Sequence, residues 1–403
     1  MPSIPPEGEP APADGSLPPE ALAGTAGRPF SLYVHVPFCA TRCGYCDFNT
    51  YTAAELGSAP GSSRDAYLAA VRSELALAER VLGRRPVVST VFFGGGTPTL
   101  LAARELVGLL RAVTEHADLA PGAEVTTEAN PESVDPGYLA TLVAGGFNRL
   151  SLGMQSAVPH VLAVLERRHT PGRAAQVVGW AREAGFGSVS LDLIYGTPGE
   201  TPHDWDASLA AALAAAPDHV SAYSLIVEPG TRLAGRVRRG ELPGIDPDVH
   251  ADYYRAADAA LTAAGLGWYE VSNWARRGHE ARHNLAYWRS DDWWGIGPGA
   301  HSHVGGVRWW NLRHPTGYAG RLAAGTSPAE AREVLTAADR RTERVLLQLR
   351  LAEGLALAEL DEAGRAVAVR AVADGLAIAA DGRLRLTLDG RLLADGIAVD
   401  LLG

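Results

Sequence analysis

Three cysteines, Cys39, Cys43 and Cys46, are the chain's whole supply, and all fall in the stretch CATRCGYC. An odd number packed so closely closes no disulfide framework, and unpaired thiols suit a reducing compartment. Three thiolates in one loop point to an iron-sulfur centre. A four-iron cube held by cysteine alone wants four thiolates, so three leave one iron exchangeable and able to take an outside ligand. Zinc is the rival, with His35 or another histidine as fourth ligand. Spacings of three and then two residues are rarer for zinc than paired two-residue spacings, and the chain has no second cysteine pair. A second patch lies at the Gly94-Gly95-Gly96-Thr97-Pro98 bend and at Glu128. Glycines let backbone N–H groups approach a small zwitterion, and a carboxylate can hold its amino end. Without the cysteines the same glycines read as a tight turn.

These residues need a frame. From Ser31 onward the chain repeats one theme: a short β-branched or aromatic run, a loop, then an Ala/Leu-rich helical pattern. The runs at 31–38, 87–93, 124–128, 149–155, 188–195 and 219–227 predict six strands. Helices are predicted at 63–82, 101–116, 135–145, 157–166, 173–184 and 204–215. The economical solution is a parallel α/β sheet partly closed into a barrel, its outer face covered by the crossovers. The polar and Gly-rich residues cluster just past the strand ends, where a βα barrel does its chemistry. Tyr33 and His35 share one parity on the first strand, so both are expected to face the interior. Gln155 closes the fourth strand, and Asp192 and Tyr195 lie on the fifth; all three are candidate cofactor contacts. Trp180 and Trp205 fall in helical patterns and read as packing residues.

The chain has 403 residues, 46 acidic against 36 basic, and a formal charge of −10, so no large attractive field for nucleic acid or an anionic membrane is expected. Every basic residue among the 36 is Arg, and the 47% apolar fraction supports a real core. Residues 1–28 carry seven prolines and no basic residue before Arg28, lack the pattern of a secretory signal and read as disordered. No uninterrupted apolar run is long enough to span a bilayer, so a cytoplasmic protein with at most peripheral membrane contact is expected. The barrel is assigned to 29–240, an aromatic-rich connecting region to 241–327, and a helical, winged-helix-like module to 328–403. Seven of the nine tryptophans lie between Trp268 and Trp310. The Trp293-Trp294 pair suits either core packing or a flat apolar ligand.

CxxxCxxC in the first barrel loop resembles the radical S-adenosylmethionine signature, whose open iron chelates that cofactor. An ordered run of stretches narrows the resemblance: LYVHVPFCATRCGYCDFN, FFGGGTPT, EANP, LSLGMQS, DLIYGTPGET, SAYSLIVEPGT, YEVSNWA, HNLAYW and GIGPGAHS, spanning residues 32–302. Together they resemble the oxygen-independent coproporphyrinogen III oxidase-like family. The resemblance implies a partial (β/α)6 barrel with a [4Fe-4S] cluster on Cys39, Cys43 and Cys46. S-adenosylmethionine would lie beside Tyr33, His35, Gly94, Gly95, Gly96, Thr97, Glu128, Gln155 and Asp192. One branch of the family, the porphyrinogen dehydrogenases, has a further cysteine two positions past the third, where this chain has Asp47 and then Phe48. Cys-Asp-Phe is similar to the heme-chaperone branch instead. HNLAYW, residues 283–288, resembles the HNxxYW stretch of that branch, with which heme binding is associated: His283 would offer an imidazole to iron, Tyr287 and Trp288 their faces to the macrocycle. His301 and His303 are the nearest competitors. The expectation is a heme carrier serving acceptor heme proteins, respiratory ones among them, and the resemblance adds a homodimer. Two roles fit the cofactor, reductive cleavage to a 5'-deoxyadenosyl radical and regulation of a heme-loading conformation. The second reading is the dehydrogenase, which decarboxylates two propionates. A third makes the C-terminal module a docking surface for protein or nucleic acid, the latter weakened by the acidic balance.

Overall fold

The computed structural model describes residues 7–25, 27–57 and 61–403. Its strands are β1 (Glu9–Pro10), β2 (Phe30–Val36), β3 (Val87–Gly95), β4 (Asp118–Ala129), β5 (Arg149–Gln155), β6 (Ser188–Tyr195), β7 (His219–Ser224), β8 (Gly267–Glu270) and β9 (Asn273–Ala275). They continue with β10 (Asp292–Ile296), β11 (His301–Val304), β12 (Val307–Asn311), β13 (Ala329–Val334), β14 (Leu355–Ala356), β15 (Ala377–Ala380) and β16 (Arg383–Leu386). Strands β2 to β7 lie side by side in chain order, all parallel, in the register Val34↔Phe93↔Thr127↔Leu150↔Val189. This is the six-stranded partial barrel expected from the alternation of runs and helices.

Alternation within each strand separates two environments. On β2, Leu32, Val34 and Val36 are buried toward the helices, while Tyr33 and His35 face the lumen. The helix Arg64–Leu82 shows the complementary period: Tyr67, Val71, Leu75, Ala78 and Leu82 are buried, one stripe at 3.6-residue spacing. It starts where Ser63 Oγ accepts from the Ala66 N–H and stops at Gly83, whose φ of +66° is left-handed. Each fully buried aliphatic side chain of this layer contributes roughly 1.5–3 kcal/mol, and that holds the strand ends where the chemistry sits.

The sheet extends past the barrel on both sides, to thirteen strands among the described residues. On one side β10 joins β2 in parallel, Gly295 opposite Tyr33, and β11 to β13 follow antiparallel; on the other, β9 and β8 continue from β7. Residues 241–327 are therefore more than a connector: they supply β8 to β12. The N-terminal stretch read as disordered also carries structure. β1 pairs with β13, Arg332 bonds Glu9 at 2.7 Å, and a helix spans Pro19–Ala23. Residues 1–6 and 26 of that stretch lie outside the described residues.

The C-terminal module has its own core of Val345, Leu349, Leu355, Leu384, Ile397 and Leu401 and a small sheet in the order β14-β16-β15. It docks on the β8–β9 hairpin, where Ala352 N–H donates to Tyr269 O at 2.9 Å. Arg391 completes the contact, bonding Asp258 at 2.9 Å with its guanidinium 4.2 Å from the Trp268 ring centre. Among the described residues no helix is long and apolar enough to cross a membrane.

Candidate functional site

The loop 39–46 leaves the C-terminal end of β2 and is clamped from both sides. Gly44 donates to Leu165 O at 3.3 Å and accepts from Leu233 N–H at 2.8 Å, and a Cβ on Gly44 would lie 2.9 Å from the Glu166 carboxyl. Tyr45 anchors the loop in the apolar cluster of Val161, Leu165, Ile194, Leu225 and Leu233. All three thiols are half-buried and free. Burial first, and then the neighbouring Cys43 and Cys39 sulfurs, push the Cys46 thiol up to about 11. Burial also raises Cys39, against the hydroxyls of Thr50 and Thr97 that face it. Burial thus disfavours the thiolates of Cys39 and Cys46, and a bound metal would reverse that. Among the described residues no three His, Cys, Asp or Glu side chains stand gathered about one metal-ion position; a four-iron cube bridges its thiolates through several metals. His35, the fourth ligand of the zinc alternative, is committed elsewhere, with Nδ1 2.9 Å from Tyr33 Oη and Nε2 2.9 Å from Asn49 O.

The glycine bend closes on this loop. An added Cβ would meet Glu128 Oε2 at 3.1 Å on Gly94, the His35 ring at 2.5 Å on Gly95, and Phe38 O at 2.5 Å and Cys39 Sγ at 3.1 Å on Gly96. Gly95, at φ +111°, donates its N–H to Glu128 Oε2 at 3.0 Å, and Thr97 N–H bonds Phe38 O at 2.8 Å. Burial, and then the Asp192 carboxylate, push the Glu128 carboxyl up to about 8. Asp192 is itself raised by burial, against the serine hydroxyls around it; Ser151 Oγ lies 2.9 Å away. The two carboxyls share the lumen, Asp192 within the field of the Arg149 guanidinium, and Glu128 suits an ammonium group. Gln155 sits at the β5 irregularity with φ +64°, a conformation costly for a non-glycine residue. Arg167, on the turn opened by Glu166 at φ +56°, reaches Cys43 Sγ at 3.4 Å and Gly153 O at 3.3 Å. Nothing in the Arg167-Arg168 pair of the sequence picks out Arg167, because the turn decides its direction.

Tyr195 is a correction. Three residues past Asp192, it faces out of the lumen and packs on Trp205 and His250. Trp294 is 2% exposed against Trp309, whereas Trp293 stands edge-on to Tyr287 at 4.8 Å.

HNLAYW forms the helix Arg282–Trp288, which seals the barrel toward the N-terminal ends of the strands. Glu124, buried on β4, accepts from the first backbone N–H groups, His283 at 3.0 Å and Arg282 at 3.1 Å, the placement the helix dipole favours. His283 lies inside the wall. It is 1% exposed, with Nδ1 2.7 Å from Thr90 Oγ1, Nε2 2.9 Å from Tyr287 Oη and its ring stacked on Phe92 at 5.0 Å. Burial lowers its pKa to about 3, and both ring nitrogens are hydrogen-bonded within the wall. Of the competitors, His303 is buried with Nδ1 3.3 Å from Asp291 O, and His301 is half-buried against Trp310. Phe48 is 54% exposed in place of the extra cysteine.

The Radical SAM superfamily model matches residues 33–212. The chain is 56% identical over 382 residues to the heme chaperone HemW of Mycobacterium tuberculosis (strain ATCC 25618 / H37Rv), covering 95% of this chain and 97% of that one. It is 36% identical to the heme chaperone HemW of Synechocystis, covering 84% of this chain and 82% of that one. Among solved structures, the coproporphyrinogen III oxidase HemN of Escherichia coli, a radical SAM enzyme, aligns at TM-score 0.79 and 25% identity over 96% of this chain and 94% of its own.

Proposed function

We propose, from the premise that this chain belongs to the HemW family of radical SAM proteins, that it is a heme carrier which loads heme in the barrel lumen and passes it to acceptor heme proteins. The observation that carries the reading is the HNLAYW helix itself. It sets Tyr287 edge-on to Trp293 and stacks His283 on Tyr33 and Phe92, an aromatic wall suited to a flat macrocycle, in the same barrel as the thiol loop. Cys39, Cys43 and Cys46 would hold a [4Fe-4S] cluster with one corner open. Gly94 to Gly96 would offer backbone N–H groups to S-adenosylmethionine, Glu128 would face its ammonium, and Arg167 would set positive charge beside the thiolates. Tyr33, His35, Thr97, Gln155 and Asp192 would complete its surroundings. When bound, cluster and cofactor supply one-electron reductive chemistry at the sulfonium.

Respiratory enzymes are acceptors in this proposal, and the protein works in the cytoplasm as a homodimer with at most peripheral membrane contact. The test is an anaerobic heme titration followed by transfer to an apo-acceptor, with 5'-deoxyadenosine assayed in the same vessel. Stoichiometric uptake and transfer support the carrier, and deoxyadenosine release marks cleavage of the cofactor. Failure to bind heme would refute it.

The likeness to the HemN structure keeps coproporphyrinogen III oxidation as a second reading. Incubation with coproporphyrinogen III, a reductant and S-adenosylmethionine discriminates: catalytic formation of vinyl products would displace the carrier.

A further inference from the structure

We infer that the Thr50 hydroxyl is the hydrogen-bond donor to the Cys39 sulfur once that thiolate holds iron, a positioning residue that acts through Cys39 and sets how readily the cluster takes an electron; this rests on the [4Fe-4S] proposal and deepens it. The observation behind it is a hydroxyl with nothing to bond. Thr50 is 1% exposed, and its Oγ1 is buried without a hydrogen-bond partner among the described residues. A buried hydroxyl left unpaired is destabilising, and folded proteins keep few of them. Its surroundings name the missing acceptor, because the hydroxyl faces Cys39 Sγ. A neutral thiol accepts hydrogen bonds weakly, and an ionised sulfur accepts them well.

The backbone of Thr50 is fixed on both sides. Its N–H donates to Phe48 O at 2.7 Å, and its carbonyl accepts from Arg42 Nη2. Tyr51, the next residue, pairs with the segment that enters the loop: its N–H donates to Pro37 O at 2.7 Å, and its carbonyl accepts from Cys39 N–H at 2.9 Å. Asn49, on the other side, directs its amide nitrogen at two carbonyls far along the chain, Pro298 O at 3.0 Å and Arg313 O at 2.8 Å. The two feet of the thiol loop are thus zipped together and tied to the sheet extension, which leaves the hydroxyl only the rotation of its own side chain.

Each sulfur then has a donor of its own. Arg167 Nη1 lies 3.4 Å from Cys43 Sγ, the Phe48 N–H faces Cys46, and the Thr50 hydroxyl faces Cys39. Thr97 also faces Cys39, but it is only half-buried. Arg167 has a second acceptor in Gly153 O at 3.3 Å, whereas Thr50 Oγ1 has none. A reduced cluster carries one more negative charge than an oxidised one, so hydrogen bonds to its sulfurs favour reduction and raise the potential.

A redox titration of the anaerobically reconstituted full-length chain, read by electron paramagnetic resonance without S-adenosylmethionine, tests this, with iron and sulfide counted in each sample. Thr50→Val keeps the shape of the side chain and removes the donor. Its cluster should assemble with the wild-type iron and sulfide content and accept an electron on the order of tenfold less readily, about 59 mV lower for a one-electron couple. Thr50→Ser should restore the wild-type potential. In urea unfolding the metal-free Thr50→Val chain should be as stable as the wild type or more so, because it has lost an unpaired buried hydroxyl. Equal potentials in the wild type and Thr50→Val, a Thr50→Ser chain that behaves like Thr50→Val, or a Thr50→Val chain that is less stable or unfolded without metal overturns the inference and leaves the cluster proposal standing. A wild-type chain that assembles no cluster overturns both.

Discussion

Glu128 makes cofactor binding dependent on pH in a direction the lumen dictates. Its carboxyl is pushed up to about 8 by burial and by Asp192, against the Gly95 N–H. At pH 7 roughly one Glu128 in ten is ionised, and at pH 6 roughly one in a hundred. An ammonium placed against it selects the ionised form, so binding expels a proton. S-adenosylmethionine affinity should therefore rise about tenfold per pH unit between pH 6 and 7 and flatten near 8. Glu128→Gln holds no charge to titrate. It should bind with a flat profile, weaker than wild type at pH 8 by about 1.5–3 kcal/mol, the worth of a charged hydrogen bond. The two curves should converge as the pH falls. Isothermal titration in two buffers of different ionisation enthalpy counts the protons directly: close to one should be released at pH 7 in the wild type and none in the variant. Binding without proton release, or equal slopes in both proteins, would refute the placement of the ammonium at Glu128.

Other consequences are as open to measurement. Gly95→Ala drives a methyl to 2.5 Å from a His35 ring pinned by Tyr33 and Asn49, at φ +111°. It should lose at least about 3 kcal/mol in urea unfolding, whereas Gly240→Ala, at φ +74° in open space, should lose only about 1–2 kcal/mol. Glu74 is buried and bonded by Gly297 N–H at 2.8 Å and Asn311 Nδ2 at 2.7 Å, and burial pushes its carboxyl up to about 7. The fold keeps that proton while the unfolded chain, at its ordinary value of 4.5, gives it up. Stability should accordingly fall by about 3 kcal/mol as pH rises from 4.5 to 7; thermal melts of Glu74→Gln should lack this fall. Arg391→Ala removes the nearly buried partner of Asp258 and should loosen the C-terminal module by about 2–3 kcal/mol. Hydrogen exchange should then quicken at the β8–β9 hairpin, and unchanged exchange there would mean the module is held by other contacts.

Much of this was legible in the chain. β5 and β6 lie where 149–155 and 188–195 were expected, and the helix Arg173–Ala184 fills 173–184, because short apolar runs alternating with Ala-rich helical patterns leave few alternatives. The cysteine loop and the glycine bend announced themselves by composition. What stayed hidden depends on partners distant in the chain or on direction. β1 is only two residues long and exists because β13, more than 300 residues later, offers an edge. β10 to β12 are strands of four or five residues whose tryptophans looked like a connector until the Gly305-Gly306 turn, at φ +58° and +88°, folded β12 back on β11. A motif names His283 without saying which way it points, and Glu124 and Thr90, which decide that, lie on other strands.

Anaerobic reconstitution of the full chain, followed by counting iron, inorganic sulfide and heme per chain and then transfer to an apo-acceptor, tests the carrier most directly. The expected result is a four-iron, four-sulfide cluster, one heme bound beside it, and heme recovered in the acceptor. Zinc without sulfide, or a complete cluster with no heme taken up, would contradict it.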